Sequence, residues 1–267
     1  MFDSSSNDMV TRRYWRVFAV IAALMASVAV APWGWDIDAL SGHHPCRLPC
    51  GLDEGDTFVG SPGDVWSIDL GGVGTAVVSG GAVIGRVEGD TALTLGQGHM
   101  EVVSAAAPRK LRVQTPAANG VDLGCAFTID ATATATTVRV SSGYVSVETP
   151  RGSAYVGAGS FVVATLGAPP ALPLREDASA ALVAAAAATP GGDLPAVLAA
   201  ARPADAFTLW HLLREAPESE RAAVLATLDR LAPGAVPADR SLLEDLNLAA
   251  LQSLWAGLAG VAYAEGA

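Results

Sequence analysis

The middle of the chain carries the hydrophobic pattern of a β-domain. Between residues 56 and 166, short runs of β-branched and other apolar residues alternate with turn signals rich in Gly, Asn and Asp. Examples of such runs are 65–68, 82–84 and 144–147. Gly-containing pairs between the runs suit tight turns. The pattern predicts an all-β domain over 56–166, which could be a β-sandwich, a jelly roll or a short β-solenoid.

After residue 166 the pattern becomes helical. A stretch over 167–175 is rich in proline and predicts a stiff linker. Beyond it, apolar residues recur at helical spacing in short segments, which predicts a small α-helical domain of antiparallel hairpins over 176–267. Trp210 and Trp255 are the expected core anchors of that domain. The fold class is therefore mainly β with an α-helical C-terminal region.

An uncharged apolar segment lies near the N-terminus, over 17–35. At about 1.5 Å per residue, a helix of this length spans the roughly 30 Å of a bilayer core. Aromatic residues that suit the two membrane interfaces flank the segment: Tyr14, Trp15, Trp33 and Trp35. Three arginines precede the segment and two aspartates follow it. The sequence thus predicts a short cytoplasmic tail over 1–16 and a single-pass transmembrane anchor in a bacterial inner membrane, with the bulk of the chain in the periplasm.

A cleaved signal peptide is the alternative for this N-terminal segment. The stretch 29–31 reads Ala-Val-Ala, which resembles a cleavage box. Pro32 follows it directly, where proline is poorly tolerated, and the apolar run is longer than a usual signal core. We therefore expect the segment to be retained as an anchor.

The strongest candidate for chemistry is a cluster just after the predicted anchor, in a juxtamembrane loop expected over 36–55. It contains His43, His44, Cys46 and Cys50. In an oxidising compartment the two thiols are expected to form a Cys46–Cys50 disulfide. Two imidazoles and two thiolates could instead hold a zinc or copper ion, or take part in redox catalysis. The Cys-x3-Cys spacing with adjacent histidines matches no established metal motif, so we expect no metal site.

Composition and the absence of motifs narrow the function. The formal net charge of −11 opposes binding to a phosphate backbone, so no nucleic-acid partner is expected. The sequence contains no Walker loop, dinucleotide fingerprint or Gly-x-Ser-x-Gly elbow. Aromatic residues make up only 6% of the chain and methionine is scarce, which does not favour a haem or flavin pocket. We expect a non-catalytic protein without a cofactor or catalytic residues.

The order of several segments in the β-region resembles a known family. The segments are 93–98, 100–102, 111–116, 121–129, 137–140, 142–147 and 155–159. Together they resemble a FecR domain: 121–129 is similar to its GTxF centre, and the last three segments are similar to its V–GxVxV–aG close. The resemblance covers about 70 to 110 residues; each piece is short, and their order and spacing carry it.

The resemblance implies a periplasmic β-domain that binds other proteins and passes signals in cell-surface signalling. Classical members place a cytoplasmic anti-sigma domain before the membrane helix, whereas here only residues 1–16 precede the predicted span. Cys125 also stands where the family usually has Thr. We therefore expect a membrane-anchored protein-binding and signalling module of the FecR type, with envelope or membrane proteins as partners and without direct sigma-factor binding. The alternative is a structural accessory subunit of a larger inner-membrane complex, because small residues within 17–35 would permit close packing of helices.

Overall fold

The computed structural model describes residues 35–43, 51–86, 92–188 and 193–262. The predicted tail and most of the predicted anchor, with Tyr14, Trp15 and Trp33, lie outside these residues. His44, Cys46 and Cys50 also lie outside them. Within the described ranges, no helix has the length and hydropathy that a membrane crossing requires.

The described part of the chain is mainly β and ends in helices, which confirms the predicted fold class at this level. The strands are β1 (Trp35–Ser41), β2 (Gly51–Leu52), β3 (Thr57–Val59), β4 (Val65–Asp69), β5 (Gly74–Arg86), β6 (Ala92–Ser104), β7 (Arg112–Gln114), β8 (Asn119–Asp122), β9 (Ala126–Ala131), β10 (Ala135–Ser142), β11 (Tyr144–Thr149), β12 (Gly152–Gly157), β13 (Ser160–Thr165) and β14 (Leu174–Arg175). The helices are α1 (Ala180–Ala187), α2 (Leu194–Ala200), α3 (Ala206–Glu215), α4 (Glu218–Leu231), α5 (Ser241–Glu244) and α6 (Leu248–Ala262).

The strands form one hydrogen-bonded sheet that branches at β6. Residues 92–94 of β6 pair in parallel with β7, whereas residues 98–103 pair antiparallel with β9. One branch continues through β7, β8, β11 and β12, and the other through β9, β10, β13 and β14. Strands of the two branches pack against each other, since β12 contacts both β10 and β13. The result is two layers around one apolar core, in which Phe127 and Ile129 are fully buried.

The long β5–β6 hairpin bends where its ladder is interrupted by glycines. Gly80, Gly81 and Gly98 all have positive φ, and the β5–β6 register shifts at this point. A Cβ atom on Gly98 would lie only 2.7 Å from Cα of Ala82. Only glycine therefore permits this close approach, which lets the two strands serve both layers of the sheet.

The first strand corrects two expectations. Trp35 was assigned to the end of the membrane anchor, but it begins β1, is 5% exposed and lies under the Arg86 guanidinium at 4.3 Å. The region 36–55 was expected to be a loop, but β1 pairs antiparallel with β4 over most of its length and with β2 at its start. Both expectations are wrong because β1 pairs with residues that are distant in sequence, and this pairing directs the side chains of Trp35 and Ile37 into the core.

The Pro-rich stretch 167–175 is not a free linker. Leu172 and Leu174 are buried in the helical core, and β14 pairs with β13. The hydroxyl of Thr208 on α3 donates to the carbonyl of Pro173 at 2.7 Å. The stretch therefore docks the helices onto the sheet, and residues on both sides of it belong to one compact unit.

Candidate functional site

A cavity of about 360 Å³ opens between the sheet and helices α3 and α6. We call it the aromatic groove. Its aromatic and polar lining residues are Tyr144, Tyr155, Trp210, Arg214, Gln252 and Trp255, and three leucines complete it: Leu123, Leu248 and Leu251. A volume of this size lies within the range of small-ligand and side-chain pockets.

The sheet supplies one wall of the groove through two tyrosines that point away from the β core. Tyr144 begins β11 and Tyr155 lies in β12. Their neighbours Val145 and Val156 are fully buried in the β core. Because successive side chains in a strand alternate between faces, the tyrosines face the helices.

The helices supply the other wall through residues at helical spacing. Trp210 and Arg214 are four residues apart on α3 and therefore share one face. On α6 the lining positions are 248, 251, 252 and 255, which is the i, i+3, i+4, i+7 pattern of a single stripe. Leu248 is 70% exposed and lies at the rim of the groove, whereas Leu251 is buried.

Trp255 lies at the centre of an aromatic cluster that fixes these walls. Its ring centroid is 4.3 Å from that of Phe207, 4.8 Å from Trp210, 5.6 Å from Tyr144 and 6.1 Å from Tyr155. The pairs are tilted or edge-to-face, which is the favoured geometry for aromatic side chains. The indole of Trp210 also donates to the carbonyl of Leu251 at 3.0 Å, and this bond joins α3 to α6.

His211 joins the helices to the outer edge of the sheet beneath the groove. Its Nε2 lies 2.9 Å from the carbonyl oxygen of Tyr155 in β12. Since a carbonyl only accepts, Nε2 carries the hydrogen and donates it. The pKa of His211 is lowered to about 3, mainly by burial and in smaller part by the nearby charge of Arg214, although the hydrogen bond to Tyr155 opposes the shift. The ring is therefore neutral and covers a backbone group of an edge strand.

Arg214 is the charged residue in the lining of the groove. Its guanidinium carbon lies 4.9 Å from the ring centroid of Trp210 and 5.9 Å from that of Tyr155. In the described ranges, neither a carboxylate nor a carbonyl accepts a hydrogen bond from this guanidinium. Six of the other described arginines form ion pairs: Arg86, Arg109, Arg139, Arg175, Arg202 and Arg240.

Of the cluster singled out from sequence, His43 is the residue that the structure describes, and it is not among those that line the groove. The His43 side chain is 90% exposed. Its backbone N–H donates to the Asp64 carboxylate at 2.9 Å, and its carbonyl accepts from the indole of Trp66 at 3.0 Å. These two hydrogen bonds fix the backbone of His43 just after the end of β1. Among the described residues, no group of three or more His, Cys, Asp or Glu has metal-site geometry. The Cys46–Cys50 disulfide stays a prediction.

Two further polar clusters lie within the sheet. On its outer face His99 Nδ1 lies 2.7 Å from Asp130, and hydrogen bonds to Glu101 and then to Asp130 raise the pKa of His99. In the interior, the Asp122 carboxylate accepts from the thiol of Cys125 at 2.6 Å. Burial, followed by this hydrogen bond, raises the pKa of Cys125 well above that of a free thiol. Cys125 is therefore an unreactive part of the core.

The sequence identified part of the groove. Trp210 and Trp255 were predicted as core anchors, and both pack on the helical core, but their second role as groove walls was missed. Tyr144, Tyr155 and Arg214 were not singled out. The stripe along α6 and the outward positions of the two tyrosines were visible signals, but the sequence does not say that these surfaces meet.

No protein-family model matches the chain, and no curated protein matches it. Two solved structures are partly similar, both of them proposed anti-sigma factors from Parabacteroides distasonis ATCC 8503. The first has 16% identity and a TM-score of 0.34, with 47% of this chain and 58% of the other covered. The second has 14% identity and a TM-score of 0.33, with 53% and 61% covered. This chain thus spans less than two thirds of each, and the FecR resemblance has no family-model support.

Proposed function

We propose that the protein is a non-catalytic protein-binding module that takes a segment of a partner into the aromatic groove. The observation that carries the proposal is the groove itself: fixed aromatic rings, an exposed leucine at the rim and a cation, Arg214, that forms no ion pair with the part of the chain that the structure describes. Trp, Tyr and Arg are the residues most enriched at the energetic centres of protein interfaces.

The fixed rings favour binding for an entropic reason. Ordering side chains at an interface costs free energy, and the cost is lower when they are already held in place. Trp210 is held by its hydrogen bond to the Leu251 carbonyl, and Trp255 contacts four other aromatic rings within about 6 Å. The partner would therefore meet a preformed surface, and most of the ordering cost would fall on the partner.

The proposed setting is the periplasmic side of a bacterial inner membrane. The support for this part comes from the sequence, namely the uncharged segment that begins at residue 17 and the arginines before it. The resemblance to FecR domains favours a role in signalling through protein contacts. Envelope or membrane proteins are then the partners, and direct contact with a sigma factor is not part of the proposal.

Site-specific photo-crosslinking tests the proposal in the native host. A photoreactive phenylalanine derivative would replace Leu248 at the groove rim. The matched control would replace Leu242 on α5, which is 53% exposed and does not line the groove. We expect a defined adduct from position 248 and none from position 242. Equal labelling at both positions, or none at 248, would contradict a partner in the groove. If the crosslinked partner is a subunit of a membrane complex with fixed stoichiometry, the result would favour the accessory-subunit alternative.

A further inference from the structure

The position of Arg214 gives information about what the groove binds. The aromatic rings of Trp210 and Tyr155 lie near its guanidinium, within 5.9 Å of the central carbon. Cation–π contacts of this kind help to hold the guanidinium but do not use its N–H donors. A planar guanidinium offers these donors in a fork that matches the two oxygens of a carboxylate.

A cationic ligand suits the groove poorly, although its walls are aromatic. An aromatic cage recognises an ammonium group through open ring faces. Here two of the rings already interact with Arg214, and a second cation would be repelled by it. The lining residues that the structure describes include no carboxylate, so no negative charge among them would offset that repulsion.

The remaining lining specifies the second half of the ligand. Apart from Arg214 and Gln252, the groove presents aromatic rings and leucines. A carboxylate alone would leave this apolar surface in contact with water, whereas a large apolar side chain would cover it. The two requirements together describe a short amphipathic element of a polypeptide.

We infer that the occupant is a segment of a partner protein in which Asp or Glu lies next to a large apolar residue. The carboxylate pairs with Arg214, and the apolar side chain packs against Trp255 and Leu248. This inference rests on the proposed function and specifies the partner's chemistry. The overall charge of −11 gives an acidic segment no long-range attraction, so specificity depends on the local pair with Arg214.

Fluorine NMR on the full chain in detergent tests the inference. The chain has six tryptophans, and 5-fluorotryptophan labelling reports on each of them. Substitution by Phe at Trp210 or Trp255 assigns the groove signals. The probes are three peptides with blocked ends that differ at one position: Gly-Ser-Phe-Glu-Ser-Gly and its Gln and Lys counterparts. A fourth peptide, with Ala in place of Phe, tests the apolar requirement.

We expect the Glu peptide to shift the groove signals with at least about tenfold higher affinity than the Gln or Lys peptide. The Ala peptide should bind more weakly than the Phe peptide. The variant Arg214→Gln should bind the Glu and Gln peptides equally. Arg214→Lys should keep part of the preference, because it retains the charge but loses the fork.

Equal binding of the Glu, Gln and Lys peptides to the wild-type chain, or no shift of the groove signals by any of them, would overturn the inference. The wild-type comparison does not depend on the folding of any variant. Failure here can be told apart from failure of the proposed function. An adduct at position 248 together with indifference to peptide charge would leave the groove as a partner site and remove only the acidic requirement.

Discussion

The neutral, buried His211 should make the protein less stable in mild acid. Its folded-state pKa is lowered to about 3, first by burial and then by the charge of Arg214. In the unfolded chain, a histidine titrates near 6.5. Between these two values the unfolded chain therefore binds one more proton than the folded protein. The free energy of unfolding must fall as the pH drops below about 6.5, and it continues to fall until about pH 3.

The size of the effect follows from the gap between the two pKa values. Each pH unit inside the window changes the free energy of unfolding by about 1.4 kcal/mol. From pH 7.5 to pH 5.0 only the part below about 6.5 counts, which gives a loss of about 2 kcal/mol from this residue. Other groups also titrate in this range, so the wild type must be compared with a variant that lacks only this titratable group.

The variant His211→Gln supplies that comparison. A glutamine does not titrate, and its amide N–H can still donate to the carbonyl of Tyr155. Urea unfolding of the full chain, followed by tryptophan fluorescence at both pH values, measures the two free energies. We expect the wild type to lose about 2 kcal/mol more than the variant on acidification.

His99 provides a control with the opposite sign. Its pKa is raised by Glu101 and Asp130, so its contribution is fully present below about pH 6.5 and is lost as the pH rises through its folded pKa. The variant His99→Gln should therefore lose more stability on acidification than the wild type does. If His211→Gln and the wild type show the same pH dependence, the buried and neutral state of His211 is refuted.

Three further predictions follow from the packing. Gly143→Ala should lower the free energy of unfolding in urea by more than about 2 kcal/mol, because its Cβ would overlap the carbonyl oxygen of Gly124. The control Gly124→Ala has open space around its Cβ and should lose only about 1 kcal/mol through backbone strain. Asp122→Ala should lower the free energy of unfolding by about 2 kcal/mol, and it should speed maleimide labelling of Cys125, because the thiol loses its hydrogen-bond acceptor. Unchanged labelling would contradict this prediction. Limited proteolysis with mass spectrometry should find no early cut in 167–175, because this stretch is docked.

The sequence alone determined the kinds of element and their order. Alternation of apolar and polar residues predicted strands through the middle of the chain, and helical spacing predicted the C-terminal region. Gly143 lies in one of the Gly-containing pairs that suit tight turns, and it joins β10 to β11 with φ 70°. The two strands form no hairpin with each other, because β10 pairs with β9 and β13 and β11 pairs with β8 and β12. These features are readable because side-chain alternation and turn geometry depend on residues close together in the chain.

Only the tertiary structure decided which of these surfaces meet. Trp35 looked like the aromatic end of a membrane segment until its strand was paired with β4. The stretch 167–175 has the composition of a linker, but in the folded protein Leu172 and Leu174 are buried in the helical core. The groove joins residues from Leu123 to Trp255, on elements more than a hundred positions apart. Pairing and packing between distant segments depend on complementary shape and burial across the whole fold. The local periodicity of the sequence does not specify which distant segment the apolar face of each strand or helix packs against.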